Sequence, residues 1–396
     1  MKPAIEGGEP TRKDFLVFGR PDIQQPEIDE ITDTLRSGWL GTGPKVKKFQ
    51  EQFSAYQGIN HSVGLFSCTS GLFLSLKVLN LPIGSEVISS DFTFTATVAT
   101  IIQNGLTPVL IDVMPKYQTI EYNKIEQAIT PKTKAMVIVA FAGLPCEMDP
   151  IIDIARRYNL HLILDNAHAI ESEYKGKKLA QLGDISNYSF YSTKNLSTGE
   201  GGMVCSNNKE IIDHIQMLAL HGLSADAAQR FSKSGFKHYD VVEFGYKMNM
   251  TDLTASLGIH QLNRLDANWI KRKNVWDKYV KELSDLPIYL PHPTPDYMKH
   301  AYHLFTIQLK LDRYKVNRDY ILSAIQNEGI GVGIHYRAIH QHRAYAQTFG
   351  WTDKDFPNAT WLSERTISLP IEPNLTEQDT DDVIEAVRKV LLYYRK

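Results

Sequence analysis

Cysteine is scarce in this chain of 396 residues: only Cys68, Cys146 and Cys205 occur, far apart and never as C-x-x-C. That excludes a disulfide framework and the usual zinc or redox spacings, and it reads as reduced, buried thiols in a cytoplasmic protein. An excess of either charge is missing too. Against 45 Asp and Glu there are 43 Lys and Arg, so no basic field is available to hold nucleic acid or an anionic membrane surface. No apolar run approaches the length of a membrane span, and the start MKPAIEGGEPTRKDF lacks the apolar core of a signal peptide. His335, His340 and His342 lie close in sequence, but no Cys or carboxylate pattern accompanies them, which argues against a metal.

What is present is ordinary globular material. Hydrophobic residues make up 43% of a length too great for one compact core, so two or so domains are expected. After a polar arm, PEIDEITDTLRSG places Ile28, Ile31 and Leu35 at helical spacing, with Pro26 in the first turn and Gly38 as the stop. The glycine-rich loop GWLGTGP and a second helix, VKKFQEQFSAY, follow. HSVGLFS, EVISSD, PVLIDV, AMVIVAF and HLILD then read as buried strands. Between them lie the helix patterns SCTSGLFLSLKVLNL, FTFTATVATIIQNG, NKIEQAI and DPIIDIARRYN. Alternation of this kind predicts a parallel sheet covered on both faces.

GMVCSN is expected to be the last strand of that unit and IIDHIQMLALHG its helix. The polar, glycine-containing stretch from His221 to Asp252 reads as a long loop. A long amphipathic helix or helix pair beginning at TDLTASLGIHQL leads into a smaller α+β unit. There YHLFTIQL and GVGIHY read as strands, RDYILSAIQNEG and TEQDTDDVIEAVRKVLLYYR as helices.

The chemistry concentrates between Asp165 and Gly202, in DNAHAIESEYKGKKLAQLGDISNYSFYSTKNLSTGEGG. Lys194 follows the strand pattern NYSFYS and precedes Ser197, Thr198, Gly199, Gly201 and Gly202, which leave room for a ligand. A desolvated lysine supplies the neutral amine that Schiff-base chemistry needs, although a lysine at a strand end is also a common surface feature. Asp165 closes HLILD, at the strand edge where open α/β folds place ligands. It can pair with a protonated pyridine nitrogen or simply cap the following segment. Ser67, Thr69, Ser70 and Gly71 open a helix after a strand, as either a phosphate cup or an N-cap.

D-x-A-H-A, then S-F-x-x-x-K-N-x-x-x-x-E-G-G, resembles the DegT/StrS family of pyridoxal phosphate-dependent nucleotide-sugar aminotransferases. The resemblance runs from GWLGTGPKVKKFQEQF through SCTSG, FTFTAT and GYKMNMTDLTASLGIHQL to GIGVGIHYR. Within the family, DxAHA together with GYKxN is most similar to the members that make UDP-4-amino-4-deoxy-L-arabinose. The resemblance implies the aspartate aminotransferase-type α/β architecture, fold type I: a large domain, 1–258, that binds pyridoxal 5'-phosphate on a mainly parallel sheet, and a small α+β domain, 259–396. It implies transfer of an amino group from glutamate, leaving 2-oxoglutarate, to a keto carbon of a nucleotide-linked deoxy sugar. C4 is favoured over C3, and the product serves surface polysaccharide or related amino-sugar synthesis.

By the same resemblance Lys194 holds the cofactor, Asp165 its ring nitrogen, Phe94 a ring face, and Thr69 and Ser70 its phosphate, with His168 against it and Ser189 also at the cofactor. A homodimer with shared active sites brings Lys247 and Asn249 to the partner's phosphate. Here GYKMN departs from the common G-Y-N-x-R, which leaves open which of the two makes that contact. Trp39, His335, Tyr336 and Arg337 are expected at the substrate; for each, a packed or surface role is the alternative. A sugar dehydratase of the same fold is disfavoured because such relatives carry His where Lys194 stands. A non-enzymatic regulator is disfavoured because Asp165 and Lys194 are both present and no DNA-binding segment is appended.

Overall fold

A computed structural model describes residues 1–224 and 239–396. Its centre is a seven-stranded sheet made of β1 (His61–Leu65), β2 (Glu86–Ser90), β3 (Thr107–Ile111), β4 (Thr133–Val139), β5 (His161–Asp165), β8 (Ile185–Ser189) and β9 (Gly202–Ser206). Their order is β1-β9-β8-β5-β4-β2-β3. Every pairing from β8 to β3 is parallel, while β9 runs antiparallel to both β1 and β8. The near-continuous Val, Ile and Leu runs are explained by this arrangement, since strands covered on both faces need no polar side. Between β5 and β8 lies a small hairpin of β6 (Glu173–Tyr174) and β7 (Lys177–Lys178).

Helices α3 (Cys68–Lys77), α4 (Thr95–Gln103), α5 (Met148–Tyr158) and α6 (Lys209–Leu218) flank the sheet. In α5 the burial of Met148, Ile151, Ile154 and Ala155 follows the helical spacing of the sequence. NKIEQAI does not form the expected α-helix. It makes two short 3₁₀ turns, because a segment this brief hardly nucleates a helix and Pro131 pushes the residue before it toward extended backbone.

Helix α1 (Gln25–Ser37) ends on Gly38 as its spacing suggested, with Gly38 in the left-handed region at φ 72°. Its buried face is not the apolar one. Glu27 and Thr34 are buried, whereas Ile28 and Leu35 are exposed. The inward face is polar because Glu27 accepts from Arg264 at 2.5 Å, and Glu30 engages both Lys45 and His260. After α2 (Pro44–Gln57), the next large helix is α7 (Asp252–Glu282), a single rod where one helix or two were expected.

Ala255, Ile259, Leu262 and Leu265 of α7 pack into the large unit with Phe49, Phe53 and Phe190. Val275, Trp276 and Tyr279, further along, pack into the second core. Residue 258 therefore falls within a helix that serves both cores. The N-terminal arm joins the second core as well: Ile5 and Leu16 pack there, and Glu328 accepts from the Ala4 and Thr11 amides at 2.8 and 2.9 Å.

The second unit contains β10 (Ile288–Tyr289), β12 (Phe305–Leu309) and β13 (Thr366–Leu369) as an antiparallel sheet, with β11 (Met298–Lys299) reaching back to β6. Around it lie α8 (Arg318–Asn327), α9 (Arg343–Phe349), α10 (Pro357–Arg365) and α11 (Glu377–Tyr394). GVGIHY is not a strand of this sheet. Only Gly333 pairs, with Ser368, and the chain then leaves to cross toward the large unit. The expected loop after His221 lies in part, at 225–238, outside the described residues. Among the described residues no helix is long and apolar enough to cross a membrane.

Candidate active site

The chain's chemistry gathers at the C-terminal edge of the parallel strands. Ends of β1, β2, β5 and β8 lead respectively to Ser67–Thr69, Phe94, Asp165 and Lys194, and these surround one cavity of about 310 Å³. Ligand sites of open α/β sheets form at this edge because the loops there diverge.

The loop carrying Lys194 is fixed from both sides. The Thr198 amide donates to the Phe190 carbonyl at 2.8 Å, and the Phe190 amide to Gly201 at 2.9 Å, closing the loop at its base. From α7, Gln261 accepts from the Ser197 amide at 2.9 Å and donates to the Ser197 carbonyl at 2.8 Å. Asn195 donates to Glu171 and to the Ala301 carbonyl at 2.9 and 3.0 Å, which leaves its oxygen to accept from His303 at 2.9 Å. Glu171 is itself paired with the fully buried Arg272. Burial lowers the Lys194 amine to about 8, and the nearby Cys68 and Asp165 only partly oppose this. A sizeable neutral fraction near neutral pH is what a nucleophilic lysine requires.

Asp165 is buried at the end of the central strand, with β4 and β8 on either side. One oxygen accepts from Thr97 at 2.8 Å and the other from the Ala167 amide at 3.2 Å. No helix starts after it, so its capping is limited to this short turn. Burial raises its pKa, against the hydrogen bonds and the charge of Lys194, so a cationic partner would be welcomed there. Thr97 was not singled out in the sequence. Its signal was the pair Thr93 and Thr97, whose hydroxyls lie 2.9 Å apart one helical turn from each other.

At the start of α3, Ser67 accepts from the Ser70 amide at 3.1 Å, and Ser70 returns its hydroxyl to the Ser67 carbonyl at 2.6 Å. The Ser70 side chain is thus buried in a cap and does not line the cavity, whereas Thr69 does. Amides of Cys68 and Thr69, in the first helical turn, have no intrahelical acceptor and are the free donors of this end. Gly202 makes the approach of α3 workable: a Cβ there would stand 2.4 Å from the Ser67 carbonyl carbon.

His168, buried, accepts the Ala142 amide on Nδ1 at 3.1 Å. Burial, and after it the charge of Lys194, lowers its pKa well below the usual histidine value, so the ring is neutral and Nε2 carries the proton. That Nε2–H donates to Tyr336 Oη at 3.0 Å, leaving the tyrosine's own proton free for another acceptor. Ser189, His335 and Tyr336 also line the cavity, and Phe94, 55% exposed, stands on its open side. His335 donates or accepts at Ser368 Oγ, 2.8 Å away, and burial brings its pKa to about 3.

Trp39 and Arg337, expected at the substrate, lie elsewhere, as do Lys247 and Asn249, which were expected at a partner's phosphate. Arg337 is exposed and donates to the Gln341 carbonyl at 2.7 Å. Trp39, Lys247 and Asn249 form an outer cluster around Thr42: Trp39 donates to its carbonyl at 3.1 Å, Asn249 to its hydroxyl at 2.6 Å, and Lys247 to Asn249 at 2.5 Å. None of the four lines the cavity.

The model of the DegT/DnrJ/EryC1/StrS aminotransferase family matches residues 21–388. The chain belongs to this family. It is 42% identical over 381 residues to the spore coat polysaccharide biosynthesis protein SpsC of Bacillus subtilis, covering 96% of this chain and 98% of SpsC. The solved structure of Spr1654 from Streptococcus pneumoniae in its PMP-form superposes with a TM-score of 0.89 at 32% identity, over 96% of this chain and all (100%) of that one. Its PLP-form gives 0.88 at 31%, over 96% and 99%. PseC of Helicobacter pylori, an aminotransferase involved in the biosynthesis of pseudoaminic acid, gives 0.89 at 25%, over 96% and 100%.

The fold is accordingly that of fold type I enzymes, and members of the family are pyridoxal phosphate-dependent aminotransferases. The cavity fits this cofactor. A buried carboxylate, an amine of lowered pKa, an exposed aromatic face and a helix end with free amides stand around one space.

Proposed function

We propose that this family member moves an amino group from glutamate to C4 of a nucleotide-linked deoxy sugar, for a surface polysaccharide or related amino sugar made in the cytoplasm. The observation that carries the reading is the meeting of Lys194 and Asp165 in one cavity at the strand edge. The names of SpsC and PseC support the product class. The joint pattern of DxAHA and GYKxN supports C4 over C3. The bound cofactor supplies an electron sink for the carbon that exchanges its amino group.

In this reading Lys194 Nζ would hold the cofactor as a Schiff base and, once freed by the amino donor, would serve as the group that carries the proton. Asp165 would keep the ring nitrogen protonated, Phe94 would offer a ring face, and His168, braced by Tyr336, would touch the cofactor. Thr69 and the free amides of Cys68 and Thr69 would receive the phosphate, with Ser70 bracing that helix end through its cap with Ser67 and Ser189 beside the cofactor. His335 and Tyr336 meet the sugar, with Trp39 and Arg337 further out. The chain divides into a large cofactor domain and a small domain, with α7 shared between them.

A panel of UDP-, GDP- and dTDP-linked 4-keto and 3-keto sugars, each given with glutamate and cofactor, tests the substrate. A UDP-linked 4-keto sugar is expected to yield the amino sugar and 2-oxoglutarate. Exclusive turnover of 3-keto sugars would overturn the C4 assignment.

The enzyme is further read as a homodimer whose sites are shared. Trp39, Leu40 and Phe66 are each at least 42% exposed and stand beside Lys247 and Asn249, an apolar surface that a second copy would cover. Mixing Lys194→Ala chains with Lys247→Ala/Asn249→Ala chains should then restore activity. In the crossed arrangement one heterodimer site carries both lesions and the other none. No recovery on mixing, with subunit exchange verified, would contradict shared sites.

A further inference from the structure

Asp91, directly after β2, is a buried carboxylate with every oxygen engaged by one short stretch of the small domain. Its carbonyl accepts from the Ile339 amide at 2.9 Å, and its side chain accepts from the His340 amide at 3.0 Å and stands 2.6 Å from His340 Nδ1. On the ring's other side Nε2 lies 3.0 Å from Asp353 Oδ1 and 3.1 Å from Thr360 Oγ1. His340 is buried and stacked on Phe356 at 5.1 Å. Carboxylates at both nitrogens are best satisfied when both carry protons, so the ring is a cation held between two anions.

Neither Asp91 nor His340 lines the cavity, yet each is a few residues from a side chain that does. Phe94 follows Asp91 by three positions, and Tyr336 precedes His340 by four. Those two rings both line the cavity, 5.8 Å apart and tilted 44° to one another. One contact therefore joins the roots of two walls that come from different domains.

We propose that His340, gripped by Asp91 and Asp353, is a positioning residue that sets the spacing of Phe94 and Tyr336 and thereby the affinity for the sugar substrate. The inference rests on the reading of the cavity as the cofactor and substrate site. Neighbouring Asp112 does not compete for the ring, since it accepts the Asn358 and Ala359 amides at 2.9 and 2.8 Å.

The test uses the holoenzymes of Asp353→Asn, His340→Asn and His340→Leu, with a UDP-linked 4-keto sugar as probe. Asp353→Asn alters an exposed partner, and His340→Asn retains a donor for Asp91, so both keep the test open if His340→Leu does not fold. The KM for the sugar is expected to rise in all three, by about tenfold in His340→Leu and less in His340→Asn, with kcat nearly constant, the pattern of a loss of uniform binding. Cofactor affinity and the glutamate half-reaction should change less than the sugar KM, since Lys194 and Asp165 stay in place. An unmoved sugar KM in folded variants, or a loss that falls on cofactor affinity alone, overturns the clasp. A wild-type protein whose cofactor attaches at a lysine other than Lys194 overturns the underlying site reading instead, and that result is visible without any of the variants.

Discussion

Replacing Lys194 with alanine should abolish turnover and leave the fold intact. The side chain points into a cavity and fills no core position, and its loop is held by backbone and neighbouring contacts: Thr198 to Phe190, Gln261 to Ser197, Asn195 to Glu171 and Ala301. None of these uses the Lys194 amine. In the proposed function its removal would take away both the hold on the cofactor and the group that carries the proton. Burial makes His168 and His335 poor proton acceptors, with His168 far below its usual pKa and His335 at about 3. The check is a single-turnover assay with a melting curve on the same sample. Residual turnover near that of the wild type would remove Lys194 from the chemistry.

Asp165→Asn should retain the cofactor and lose rate by about 10²- to 10⁴-fold, the usual range for a group that stabilises charge or protonation in the transition state. The amide oxygen can still accept from Thr97, while the weaker bond from the Ala167 amide is lost. What disappears is the negative charge. In the wild type that charge sits in a buried position, where burial alone raises its pKa and a pyridinium proton would answer it. A neutral amide offers no such counter-charge, and the ring becomes a weaker electron sink. Steady-state kinetics combined with a cofactor titration separates the two effects. Near wild-type kcat would mean that Asp165 only braces the turn to Ala167.

Much of this arrangement was legible in the chain. The parallel strands announced themselves as continuous Val, Ile and Leu runs, because burial on both faces removes the need for alternation. Lys194 and Asp165 could be placed because each follows a recognisable strand and the sheet edge does the rest. Less legible was anything set by partners distant in sequence. The apolar stripe of α1 suggested an inward face, but Arg264, over two hundred residues away, reverses it by pairing with Glu27. Ser70 offered a hydroxyl for phosphate, yet the same residue completes a cap with Ser67, and the local bond wins. GVGIHY has strand composition, but the pull of Asp91 on Ile339 and His340 carries the segment across to the other domain. His340 itself carried no signal beyond a cluster of histidines, since its partners are Asp91 and Asp353.

The proposed function requires a bond between the cofactor and Lys194 above all else. Borohydride reduction of the holoenzyme followed by peptide mass spectrometry reads that bond directly. The pyridoxyl mass is expected on the peptide containing Ser189 to Glu200, at Lys194. A stoichiometric adduct on any other lysine, Lys247 included, with Lys194 unmodified, would contradict it.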